Sequence, residues 1–149
     1  YLQHLIFCAA DVPGIEHSTH ILYPPAPLQL PPIDAATAQQ LLRPWLAWYV
    51  PGQQQPLPFF AQTGLAAAQA WYKQDPDSTT PPDSAKQAAH SAYVGNRFKP
   101  GQAQRTEVAL AFGRHDTLPT DTPLFWQLVA DLLLPMIAHT QDAALETDA

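Results

Sequence analysis

A carboxylate with a second acid and a lysine beside it can hold a divalent ion and activate water, so those residue types are the first to locate. Glu107-Val108-Ala109 offers an acid inside an apolar run, but alanine stands where an acid-x-lysine nuclease motif carries its lysine. Asp83-Ser84-Ala85-Lys86 contains both types at a different spacing, at a helix start where Asp83 reads more simply as a cap. A nuclease built on Glu107 would need acids from elsewhere in the chain. The reading is therefore of a domain with no catalytic residue, no metal and no cofactor.

The histidines add little chemistry. His17 and His20 are three apart on a predicted strand and point to opposite faces, poor geometry for one metal. His115 and Asp116 are adjacent, as a functional pair or as a solvated turn. His4 and Cys8 have helical spacing, which a short apolar helix explains without a ligand. Cys8 is the one cysteine of the sequence and suits a small buried position; with no disulfide partner, a reducing, cytoplasmic setting is expected. There is no glycine-rich phosphate loop, serine elbow or paired CxxC.

Binding is the remaining class. The formal net charge is -6 with only seven lysines and arginines, which argues against an autonomous binder working by phosphate neutralisation. Three of the seven, Arg97, Lys99 and Arg105, bracket one predicted loop. They suit local contact with a nucleic-acid backbone, although the overall acidity favours a solubilising loop. Trp45, Trp48, Tyr49, Trp71 and Tyr72 could stack bases, but their helical spacing makes them core or interface residues first.

The elements that must carry these residues follow from periodicity. The chain has the length of one domain and is 46% apolar, enough for a core without metals or disulfides. Residues 1–14 read as the end of a helix whose start lies outside the sequence, followed by a turn at Pro13-Gly14. His17 to Tyr23 alternates as a strand that Pro24-Pro25 ends. Leu28 to Ile33 is held extended by its prolines, and Asp34 caps a helix to Val50 that Pro44 should kink or restart and Pro51-Gly52 should end.

Further along, Thr63 to Gln74 is an alanine-rich helix, Asp75 to Pro82 a loop, Asp83 to Tyr93 a short helix and Asn96 to Gln104 a second loop. Thr106 to Phe112 alternates as an interior strand covered on both faces. Thr122 caps a last helix with Pro123 at its first position, and residues 140–149 read as a frayed tail. No apolar run approaches the roughly 20 residues a bilayer requires.

Between two apolar helices lies QQQPLPFF. The segments LPPIDAATAQQLLRPWLAWYVPGQQQPLPFF, AAAQAWY, EVALAFG and FWQLVADLLLPMIAH together resemble the C-terminal region of RecC, the gamma chain of exodeoxyribonuclease V, with QPLPFF the most specific block. YLQHLIFCAADVPG is similar to the helix and turn before that region, while the likeness is weak between Asp75 and Gln104. The resemblance implies an α/β (α+β) domain of restriction-endonuclease-like nuclease fold, catalytically degenerate, with a small mixed sheet flanked by helices. It also implies RecB-like and RecD-like partner subunits, DNA met through the whole complex, and no membrane. Within this frame Pro56, Leu57, Pro58, Phe59 and Phe60 read as a structural strap that packs both rings, since exposing either would forfeit roughly 1.5–3 kcal/mol of burial.

Overall fold

A computed structural model describes residues 1–22, 28–113 and 118–147. Tyr23, Pro24-Pro25 and the His115-Asp116 pair lie outside the described residues. The architecture is helix-rich with a small antiparallel sheet: α1 (Leu2–Ala10), β1 (Thr19–Ile21), β2 (Leu28–Leu30), α2 (Ala35–Gln54), α3 (Ala61–Gln74), α4 (Asp83–Val94), α5 (Thr106–Phe112), α6 (Pro123–Leu128) and α7 (Leu134–Thr147). It is an α+β composition. The chain divides into two compact units, residues 1–50 with 138–149 and residues 51–137.

In the first unit β1 and β2 pair antiparallel, with Thr19 opposite Leu30 and Ile21 opposite Leu28. Among the described residues this is the only sheet, two-stranded and antiparallel where a mixed one was expected. His4, Leu5, Cys8, Leu30 and Ala38 are buried. Helix α2 starts as its sequence directs: Asp34 Oδ1 accepts a hydrogen bond from the Thr37 N–H at 2.9 Å. Its expected end fails. It runs through Pro44 without a restart and through Pro51-Gly52 to Gln54. Proline removes one donor and crowds one turn, and a helix of 20 residues with apolar side chains on both sides of the site retains its other bonds.

The second unit is built on aromatic packing. Phe60 is 5% exposed and its ring centroid lies 5.0 Å from Tyr93, 5.2 Å from Phe112 and 6.5 Å from Phe125. Trp126 meets Trp71 and Phe125 edge-on at 6.1 and 4.9 Å. Alanines make close approach possible: Ala67, Ala68, Ala85 and Ala89 of α3 and α4 are fully buried. Gly64 lets α3 sit against a π-helical turn at Val129–Leu133, where an added Cβ would come within 2.5 Å of Leu133 Cδ1. That widened turn ends two residues before Pro135, which has no N–H to return to it.

Thr106 to Phe112 is a helix and not the expected interior strand. A seven-residue apolar run cannot be assigned from periodicity alone, and Glu, Leu and two alanines are good helix formers. Its surroundings agree, because Leu110 is 81% exposed and no second strand lies beside it among the described residues. The strap is also half corrected. Pro58 and Phe60 are buried, but Phe59 is 38% exposed, so one ring of the pair packs inside and the other reaches the surface.

At helix starts, Thr122 caps α6 as expected, its Oγ1 accepting from the Phe125 N–H, with Pro123 at the first position. Asp83 does not cap α4. Pro82 occupies the cap position and Asp83 the first turn, where its carboxylate pairs with Lys86 Nζ at 3.0 Å on an exposed surface.

Candidate nucleic-acid interface

Gly95 ends α4 with φ 75°, and from there the chain makes a tight turn that returns at Pro100, paired with Gly95 as an antiparallel bridge. Asn96 organises it. Its Oδ1 accepts hydrogen bonds from the N–H groups of Phe98 and Lys99, both at 2.9 Å, and its own N–H donates to the Lys99 carbonyl at 2.8 Å. Neither flanking glycine has room for a side chain: a Cβ on Gly95 or on Gly101 would collide with backbone across the turn. The turn is therefore fixed by backbone and by one asparagine.

The next residues tie this turn to the unit's interior. Gln102 is 6% exposed and its Oε1 accepts the Thr63 N–H at 2.8 Å, anchoring the loop to the first turn of α3. Gln104 Nε2 donates to the Val94 carbonyl at 3.4 Å. Arg97 and Lys99 project from the turn and Arg105 stands at the start of α5, all three exposed. Among the described residues none of the three forms an ion pair. Beside the turn, α3 and α4 line a groove of about 540 Å³ in which Leu65, Ala88 and Ala92 stand with Gln62, Asn96 and Lys99.

At the tip of the turn stands Phe98, 91% exposed between Arg97 and Lys99. Sequence reasoning passed over it. The signal was present in Asn-Arg-Phe-Lys-Pro-Gly, a lone aromatic in an otherwise polar turn sequence. The aromatics it singled out instead divide by burial: Trp71 is 2% exposed, Trp45, Trp48 and Tyr72 are half-buried, and Tyr49 is 63% exposed.

Glu107 stands at the start of α5. Its side chain is exposed in the first turn of α5, and among the described residues no three His, Cys, Asp or Glu side chains gather as a metal site. His17 Nε2 accepts the Val12 N–H at 3.0 Å and its ring packs on Phe7, while His20 is exposed. His4 is 1% exposed, with Nδ1 2.9 Å from Thr19 Oγ1, its ring stacked on His139 and Cys8 Sγ within 3.8 Å. Burial first, then the charge of His139 and of the terminal amine, hold its pKa below the ordinary 6.5 against an opposing backbone hydrogen bond at Pro31. Burial likewise pushes the Tyr1 hydroxyl up to about 12, with Cys8 adding to it. His4 and His139 stack, and Tyr1 and Cys8 pack against them.

Comparison with known families bears on the other half of the chain. Residues 1–72 match the family described as RecC C-terminal domain. Over those residues, just under half of the chain, it is similar to that family. The RecC match includes α1, the β1-β2 pair, α2, the strap and nearly all of α3. The Phe98 turn, α4 and Glu107 fall beyond the matched residues. No curated protein matches the chain. No helix among the described residues is long and apolar enough to cross a membrane.

Proposed function

We propose that the chain is a non-catalytic scaffold domain of a RecBCD-type helicase/nuclease complex in DNA double-strand-break repair and recombination. It docks the RecD-type subunit, sits with a RecB-like subunit in one cytoplasmic heterotrimer, and helps guide single-stranded DNA. The fold in this reading is a nuclease-like one whose catalytic residues are gone.

The observation that carries the docking claim lies within the RecC-matched residues. Leu46, Tyr49 and Val50 are 67%, 63% and 59% exposed at i, i+3 and i+4 of α2, so one stripe of that helix is apolar and on the surface. An interface anchor requires such a stripe with an aromatic in it. The experiment is co-purification of the RecD-type subunit with the RecC-type protein, comparing the natural residues with Leu46→Glu/Val50→Glu. Loss of the subunit from the variant supports docking through α2, and equal recovery sinks it.

Exposed Glu107, on a helix without clustered acids, gives the nuclease alternative little support. Incubation of the chain with DNA and magnesium or manganese decides it. Cleavage abolished by Glu107→Ala would overturn the scaffold reading.

A further inference from the structure

We propose that the turn Asn96–Lys99 is a stacking platform for single-stranded DNA, with the Phe98 ring against an unpaired base and Arg97 and Lys99 on the phosphates either side. This deepens the strand-guiding part of the function above and is independent of subunit docking.

The first support is that the fold makes no use of the Phe98 side chain. The backbone amide of Phe98 closes the turn onto Asn96, yet its ring is 91% exposed, more than any other large apolar side chain whose burial is described. The second is rigidity. Two backbone N–H hydrogen bonds to Asn96 Oδ1, the Gly95–Pro100 bridge and the Gln102–Thr63 anchor fix the backbone under the ring. Little loop entropy is then lost when a ligand settles on it.

The third support is charge. A chain of formal net charge -6 places three of its seven cations on this one loop, and none of them is neutralised by an ion pair among the described residues. An aromatic face between two free cations matches an anionic polymer that carries π faces at intervals, the arrangement by which single strands are held without sequence preference. A purely apolar protein partner would leave both cations desolvated and unpaired. The groove between α3 and α4 includes Lys99 in its lining, beside apolar Leu65, Ala88 and Ala92 and polar Gln62, Gln69 and Ser91.

The test uses the full chain and fluorescence anisotropy at low salt with a labelled twelve-nucleotide oligothymidine and an abasic strand of the same length. Phe98→Ala is expected to weaken oligothymidine binding about 5–100-fold, and Phe98→Trp to keep it within about twofold. The abasic strand should bind weakly and be indifferent to Phe98→Ala. Arg97→Gln/Lys99→Gln should flatten the log-log salt dependence by about 1.4. Because Phe98 is exposed, its variants should melt with the natural protein.

Equal oligothymidine binding by the natural protein and Phe98→Ala, or no binding by either, would overturn the proposal. So would loss of the RecD-type subunit from Phe98→Ala with DNA binding unchanged, which would make the turn a protein dock. A failure of the α2 variant to release that subunit would end the docking claim alone and leave the oligothymidine result standing.

Discussion

The side chain of Gln102 accepts the backbone N–H of Thr63 at 2.8 Å, both residues buried, across 39 positions of sequence. One glutamine oxygen thus satisfies an open amide at the start of α3 and fastens the loop that carries Arg97, Phe98 and Lys99. The amide has no alternative partner from water at that depth. Gln102→Ala is expected to cost about 1–3 kcal/mol in urea unfolding, the desolvation penalty of an unmade buried bond. A change below about 0.5 kcal/mol would show that the anchor is dispensable.

The strap should divide energetically between its two phenylalanines. Phe60 touches three aromatic side chains and is 5% exposed, whereas Phe59 is 38% exposed. Phe60→Ala should destabilise by about 3–5 kcal/mol. Phe59→Ala should stay well below that, because part of its ring already meets water. Equal losses from the two, measured by chemical denaturation, would contradict this packing.

Gly64→Ala sets two effects against each other. Alanine gains about 1 kcal/mol of helix propensity over glycine. The new methyl, however, would lie 2.5 Å from Leu133 Cδ1 and 3.9 Å from Val129 Cγ2, and overpacking of this kind costs about 1–3 kcal/mol. Leu133 is itself buried at 3% exposure and has little space to retreat into. A net loss is expected, and it should shrink in a Leu133→Val background. A double-mutant cycle with no coupling between the two positions would refute the contact.

The stability of the protein should depend on pH through His4. Its folded-state pKa lies below 6.5, so the unfolded chain binds the proton more readily. Stability from this group is therefore fully present above about 6.5 and is lost as pH falls toward the lowered folded value. Melting temperatures measured between pH 7.5 and 5 should decline for the natural protein and decline less for His4→Gln. Parallel profiles for the two would remove His4 as the cause.

What was legible beforehand was local chemistry. Asp34 and Thr122 were readable as caps because a short polar oxygen before an apolar stripe meets open amides, and the stripes of α2, α3 and α6 follow from a period set by the backbone alone. Cys8, a small side chain among apolar ones, was readable as buried, and is. The order QPLPFF after an aromatic-rich helix pointed to the RecC C-terminal family.

The sequence by itself determined where most helices lie, where two of them begin, and that the missing lysine after Glu107 leaves no acid-x-lysine motif. Tertiary structure decided the rest. TEVALAF became a helix because a short apolar run satisfies either period and its neighbours choose. Phe59 and Phe60 are adjacent and identical in type, so only packing could bury one and expose the other. The Gln102–Thr63 bond joins residues 39 apart, and no local rule connects them. The exposure of Phe98 depends on a turn closed by Asn96 and locked by two glycines whose neighbours lie across it, and burial is a property of three-dimensional surroundings that a string of residues does not contain.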